Sequence, residues 1–123
     1  MTNKEIAVGF FQRAFVERDP AGAVATYVGD PYVQHNPQAP DGPEGSVAAI
    51  GGLLGQAPLL ELDIKRVIAE GDLVAVHLHL RMAPEDRGFA TCDIFRIADG
   101  KIVEHWDVIQ PVPTDTANDN TMF

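Results

Sequence analysis

The amino-acid sequence predicts an α+β fold, with three N-terminal helices packed on one face of a curved, mainly antiparallel sheet that encloses a pocket. Two observations lead there. Up to Pro58 the apolar residues recur every three or four positions, the period of a helix with one buried face. From Leu59 onward they alternate singly, and turn-forming clusters at Glu70 to Asp72, Pro84 to Gly88 and Asp99-Gly100 divide this half into four strands. Helices first and strands afterwards is the segregated order of an α+β domain. The 123 residues suit one domain, 1–123, large enough for its own core, with 113–123 as an extended C-terminal tail.

The first helix starts at a capping box, Thr2 with Glu5. Ile6, Ala7, Phe10, Phe11, Ala14 and Phe15 then form one broad apolar stripe, expected to lie as a lid and to end near Arg18. Asp19-Pro20 supplies a second helix start and Gly29-Asp30-Pro31 a stop. Tyr32 to Pro37 is short and polar, as suits an edge strand ending at a proline. Its alternation separates Tyr32, Gln34 and Asn36 from Val33 and His35. A third helix begins at Asp41 to Glu44 and buries Val47, Ile50, Leu53 and Leu54 before Gly55 and Pro58 end it. Gly51-Gly52 within it implies close packing or a bend.

In the strand half, Val74, Val76, Leu78 and Leu80 share one face, while Ala75, His77, His79 and Arg81 share the other. On the next strand Asp93 goes with Thr91, Phe95 and Ile97. The partner of Asp93 across the last hairpin depends on the turn: a two-residue Asp99-Gly100 turn sets Trp106 opposite, a three-residue turn His105. The hairpin GFATCDIFRIADGKIVEHWDVIQ, Gly88 to Gln110, is the most strand-like stretch of the chain and also carries chemistry. A carboxylate amid core-like residues costs several kcal/mol to desolvate, on the order of 2–7 for polar groups in general, unless something pairs with it. Asp93 is therefore expected either in a pocket wall or in an ion pair with Arg96, Arg81 or a histidine, and Asp107 as a surface or interface charge.

Composition narrows the function classes. A net charge of -9, with only 9 basic residues scattered singly, argues against nucleic acid and anionic membrane as partners. The N-terminal segment reads as neither signal peptide nor membrane span, and the single Cys92 excludes an internal disulfide, so a reducing cytoplasm is expected, with Cys92 as a small buried residue. No phosphate loop or nucleophile elbow is present. Four histidines and two aspartates could assemble a metal site, but His77 and His79 at i, i+2 lack a third ligand at fixed spacing. The expectation is no metal and no cofactor. Apolar residues on both sheet faces point to a homodimer through the outer face.

The order of elements, YVQHNP at Tyr32 to Pro37, the His77-Leu78-His79 pair and above all DIFRIADGKIVEHWDV from Asp93 resemble the SnoaL-like polyketide-cyclase family within the NTF2-like (nuclear transport factor 2-like) superfamily. The resemblance spans nearly the whole chain and implies a cone, with catalytic groups inside. In its cyclases an aspartate on the penultimate strand works with a histidine fourteen residues earlier, which matches Asp93 and His79. A ketosteroid isomerase places an acidic residue at the position of Asp93, but its separate base near the first edge strand has no counterpart among Gln34, His35 and Asn36.

The expected function is thus a cofactor-free acid/base enzyme acting on a small apolar carbonyl-type compound, by aldol cyclisation, isomerisation or a related lyase or hydrolase reaction. Asp93 is the expected base and His79 its orienting acid. His77, His35, His105 and Asn36 are expected polar wall residues, and Tyr32 and Trp106 aromatic surface for the substrate. The alternative is a noncatalytic small-molecule-binding or protein-interaction module of the same fold.

Overall fold

The computed structural model describes all 123 residues. Helix α1, Asn3–Phe11, starts at the expected capping box: the Thr2 hydroxyl accepts the Glu5 N–H while Glu5 reaches back to the Thr2 N–H. The helix continues through a wider π-type segment, Gln12–Val16. Helix α2, Pro20–Tyr27, is capped by Asp19, whose carboxylate accepts the Gly22 N–H and also pairs with Arg13. Helix α3 is Gly42–Gln56. Arg18 adopts a left-handed conformation after the π segment, and its guanidinium donates to the carbonyls of Leu54 and Ala57 at the end of α3, which have no partner within the helix.

Five strands, β1 (Val28–Gln34), β2 (Glu61–Glu70), β3 (Leu73–Arg81), β4 (Phe89–Ala98) and β5 (Lys101–Pro111), form one sheet in the order β1-β5-β4-β3-β2. The last four are the expected antiparallel meander. The first strand departs from expectation: it begins at Val28 rather than Tyr32, and it runs parallel to β5. Turn signals report only on hairpin neighbours, so they were silent on a pairing across about seventy residues of chain.

The helices cover the inner face. Ile6, Phe10 and Phe11 of α1 pack against Val74, Val76 and Leu78 of β3, Phe95 and Ile97 of β4 and Ile102 of β5. Along β3 burial alternates as the parity argument requires. A bulge at Lys65 carries the inner face of β2 from Leu62 and Ile64 to Val67. Gly51 and Gly52 face open space, with nothing within 4 Å of a Cβ added at either, so close packing does not explain them.

The β4–β5 hairpin resolves its register in a way neither turn alone accounts for. Asp99 and Gly100 both take positive φ, forming the two-residue turn that joins Ala98 to Lys101. A bulge then intervenes: Arg96 pairs with Glu104 and Ile97 with Ile102, leaving Val103 extra. The turn and the bulge together set Asp93 opposite Asp107 and Phe95 opposite His105. Because the bulge exchanges the faces of the rest of β5, His105 and Asp107 join Asp93 on the inner side, and Trp106 faces out.

Candidate functional site

Between the inner face, α1 and α3 lies a cavity of about 370 Å³. Its apolar wall comes from α1 (Phe10, Phe11, Phe15), α3 (Ile50, Leu53) and the strands (Leu78, Leu80). Its polar end is Tyr32, Gln34 and Asn36 from β1 and the residues just after it, with Thr91, Asp93, His105 and Asp107 from the β4–β5 hairpin. No lysine or arginine lines it.

At the polar end His105 Nε2 lies 2.8 Å from Asp93 Oδ1 and 3.9 Å from Asp107 Oδ2. All three side chains are only 10–11% exposed. The second Asp93 oxygen accepts the Thr91 hydroxyl at 2.8 Å. On the far side of the imidazole, Nδ1 is 2.7 Å from Gln34 Oε1, which also accepts the Asn36 backbone N–H at 3.1 Å. That amide oxygen can only accept, so Nδ1 carries a hydrogen and donates it. Nε2 and Asp93 Oδ1 must then share one further proton, because two lone pairs 2.8 Å apart would repel. Asp93 and His105 therefore hold a proton between them. Phe95 stacks on the inner side of the imidazole, ring centroids 5.1 Å apart.

Asp107 is held differently. Both of its oxygens accept from Asn36 Nδ2, at 3.0 and 2.8 Å, and Asn36 Oδ1 in turn accepts the Gln38 N–H, which fixes the amide's orientation. Tyr32 receives a hydrogen bond from Gln34 Nε2. Burial pushes its hydroxyl up to about 12, against a smaller opposing effect of its hydrogen bond with Ser46, so it stays a phenol at neutral pH.

The sequence-predicted residues divide between the two faces. Asp93, His105, Asn36 and Tyr32 meet in the cavity. His79 does not: it pairs across the sheet with Ala90, points outward, donates from Nε2 to the Arg87 carbonyl at 2.7 Å and stacks on the C-terminal Phe123 at 4.2 Å. His77, also on the outer face, sits beside Arg66 and Phe123. His35 stacks on Trp106 at 4.9 Å, outside as well, and its ring together with Arg96 holds the Glu104 carboxyl below the usual carboxylate range. The partner of Asp93 is thus His105, and the pairing with His79 is corrected. The physical reason is strand parity, since Asp93 faces in beside Val76 and Leu78 while the odd-numbered β3 residues face out. The arginines that might have paired with Asp93 are engaged elsewhere, Arg81 with Glu61 and Arg96 with Asp72 and Glu104. Asp107, expected at the surface, lines the cavity, as does Gln34. Cys92 is half-buried on the outer face, and burial pushes its thiol up.

The ligand atoms of Asp93, His105 and Asp107 lie within 4.8 Å of one another, a spacing that could hold a metal ion. Coordination there would replace the direct Asp93–His105 hydrogen bond. No helix is long and apolar enough to cross a membrane.

Comparison with known proteins identifies the family. No curated protein matches the chain. Among solved structures it is similar to TsrD of Streptomyces laurentii, at 26% identity over 85% of each chain with a TM-score of 0.71. It is also similar to AclR of Streptomyces galilaeus, a candidate hydroxylase, at 25% identity over 89% of this chain and 79% of that one, TM-score 0.71. At 20% identity and TM-score 0.70, a candidate polyketide cyclase of Acidithiobacillus ferrooxidans shares the fold over 87% of both chains. The model of the SnoaL-like domain matches residues 7–105, from the first helix to the histidine of the buried pair. The chain belongs to the SnoaL-like family.

Proposed function

We propose that the protein is a cofactor-free acid/base enzyme acting on a small, largely apolar carbonyl compound, by aldol cyclisation, isomerisation or a related lyase or hydrolase reaction. One observation carries the reading: a buried Asp93–His105 pair, 2.8 Å apart, lies at the polar end of an otherwise apolar cavity. Moving a proton from a carbon next to a carbonyl requires a base on that carbon and a donor on the carbonyl oxygen. The pair has a proton to give, and the Tyr32 hydroxyl nearby is a further polar contact. The cavity is at the small end of the usual range of about 300–1,000 Å³, which suits a ligand of one or two rings. The likeness to AclR, a candidate hydroxylase, supports an enzyme over a binding module.

The test is exchange of α-protons in heavy water. A small ketone such as 2-tetralone, followed by proton NMR, should lose its α-proton signals faster with the protein than in buffer, and a chelator should leave that rate unchanged. A ketone that binds but does not exchange would favour the noncatalytic binding module, and loss of exchange on chelation would turn the reading to a metal enzyme.

The reading includes a homodimer through the outer sheet face, where Ile68 and Val108 are 63% and 68% exposed and the terminal Phe123 rests on His77 and His79. Sedimentation at micromolar concentration should give twice the chain mass, with Val108→Glu shifting it to one. A wild-type monomer at that concentration removes the dimer from the proposal.

A further inference from the structure

The proton held between Asp93 and His105 has a counterpart across the cavity end. We propose that Asp107 is the base that removes the substrate's α-proton, while the Asp93–His105 pair supplies a proton to the carbonyl oxygen. The inference rests on the acid/base reading above and assigns its two halves to different residues. Asp93 is already paired with a proton through Oδ1 and His105 Nε2, while its Oδ2 accepts from Thr91. His105 donates from Nδ1 to Gln34 and shares the proton at Nε2. With one proton already between them, neither can act as an unprotonated base.

Asp107 can. Each carboxylate oxygen has two lone pairs, and those of Asp107 meet only Asn36 Nδ2. The groups facing it are Asn36, Tyr32 from β1, Asp93 from β4 and His105 on its own strand; α1 and α3 bring no charged side chain to the cavity. No basic side chain other than the imidazole at 3.9 Å neutralises it. In the proposed step the Cα–H bond breaks and its proton passes to an Asp107 oxygen. The electron pair forms the enol C=C bond, and the carbonyl oxygen takes the shared proton from His105 Nε2. Charge balances: the carboxylate becomes neutral, and the pair becomes an Asp93 carboxylate beside a neutral imidazole.

A probe independent of the natural substrate tests this. 5-Nitrobenzisoxazole is small and apolar. When a base removes its ring C–H proton, the N–O bond breaks to give a nitrile and a yellow phenolate, with no need of an acid. The wild type should open it faster than buffer does. Asp107→Asn should lower that rate about a hundredfold, within the range of about 10²–10⁴ for a positioned base. Asp107→Glu should restore part of it, and Asp93→Asn should cost less than tenfold. Loss on Asp93→Asn with Asp107→Asn active would put the base in the pair, overturning this assignment while keeping the enzyme reading. A probe bound but opened no faster than in buffer also overturns it.

Should Asp107→Asn not fold, NMR on the wild type, with labelled aspartate carboxyls and histidine nitrogens, decides instead. The Asp107 carboxyl signal should shift when the nitrobenzisoxazole is added, while His105 keeps its Nδ1 proton. A His105 lacking that proton contradicts the proposal.

Discussion

Asp93→Asn should lower α-proton exchange of a bound ketone about a thousandfold and leave the melting temperature within a few degrees of wild type. The amide is nearly isosteric with the carboxylate. Its oxygen can accept from Thr91, and its nitrogen can donate to His105 Nε2, so no buried group is left unsatisfied. What disappears is the shared proton, because an amide cannot pass one on, and general acid–base contributions are commonly about 10²–10⁴-fold. No arginine or lysine would be stranded, since Arg81 and Arg96 have other partners. Had Asp93 been the partner of a buried guanidinium, the same change would cost about 3–5 kcal/mol. Thermal unfolding followed by circular dichroism, beside the exchange assay, reads both effects. A melting temperature lowered by ten degrees or more would show that the carboxylate's main role is structural, and the acid/base assignment would fall.

Phe95→Ala should be the most damaging core substitution. Phe95 is 1% exposed and sits where the helices meet the hairpin, its ring centroid 5.9 Å from Phe10, 5.4 Å from Phe11 and 5.1 Å from the His105 imidazole. Truncating such a residue costs about 3–5 kcal/mol, from lost transfer energy and the cavity left behind. In a chain of this length that is about 10–20 °C in melting temperature. Native stabilities are typically about 5–15 kcal/mol, so the variant is expected to be partly unfolded at 37 °C. Exchange activity should fall even at temperatures where the variant is folded, because the imidazole loses the surface that holds its ring plane. Calorimetry checks the first effect. A loss below about 1 kcal/mol would mean that the helices do not bear on this ring as described.

The sequence made the outline legible and the site only in part, and particular residues show why. Helix starts were readable because capping depends on neighbours a few residues away: Thr2 with Glu5 and Asp19 with Gly22 form as their spacing suggests. The inner face of β3 was readable because period-two alternation needs no knowledge of the partner strand. The partner of Asp93 was not readable. Whether His105 or Trp106 faces the cavity depends on one extra residue, Val103, and nothing in its identity announces a bulge. The histidine fourteen residues before Asp93 fitted a family spacing, yet strand parity turns His79 outward. Asp107 followed the same bulge inward. Its partner Asn36 lies 71 residues away, beyond any local signal.

The parallel docking of β1 on β5 has a consequence for the order in which the protein becomes competent. The β4–β5 hairpin can form early from local contacts, but on its own it buries two carboxylates and an imidazole without the groups that orient them. Gln34 and Asn36 arrive only when the edge strand closes over a chain separation of 71 residues, the kind of contact that forms late because its loop entropy must be met first. On the acid/base reading proposed above, competence therefore requires the finished sheet. A molecule with its core intact and its edge strand loose would keep the pair of Asp93 and His105 but lose Gln34 and Asn36, the groups that orient the site.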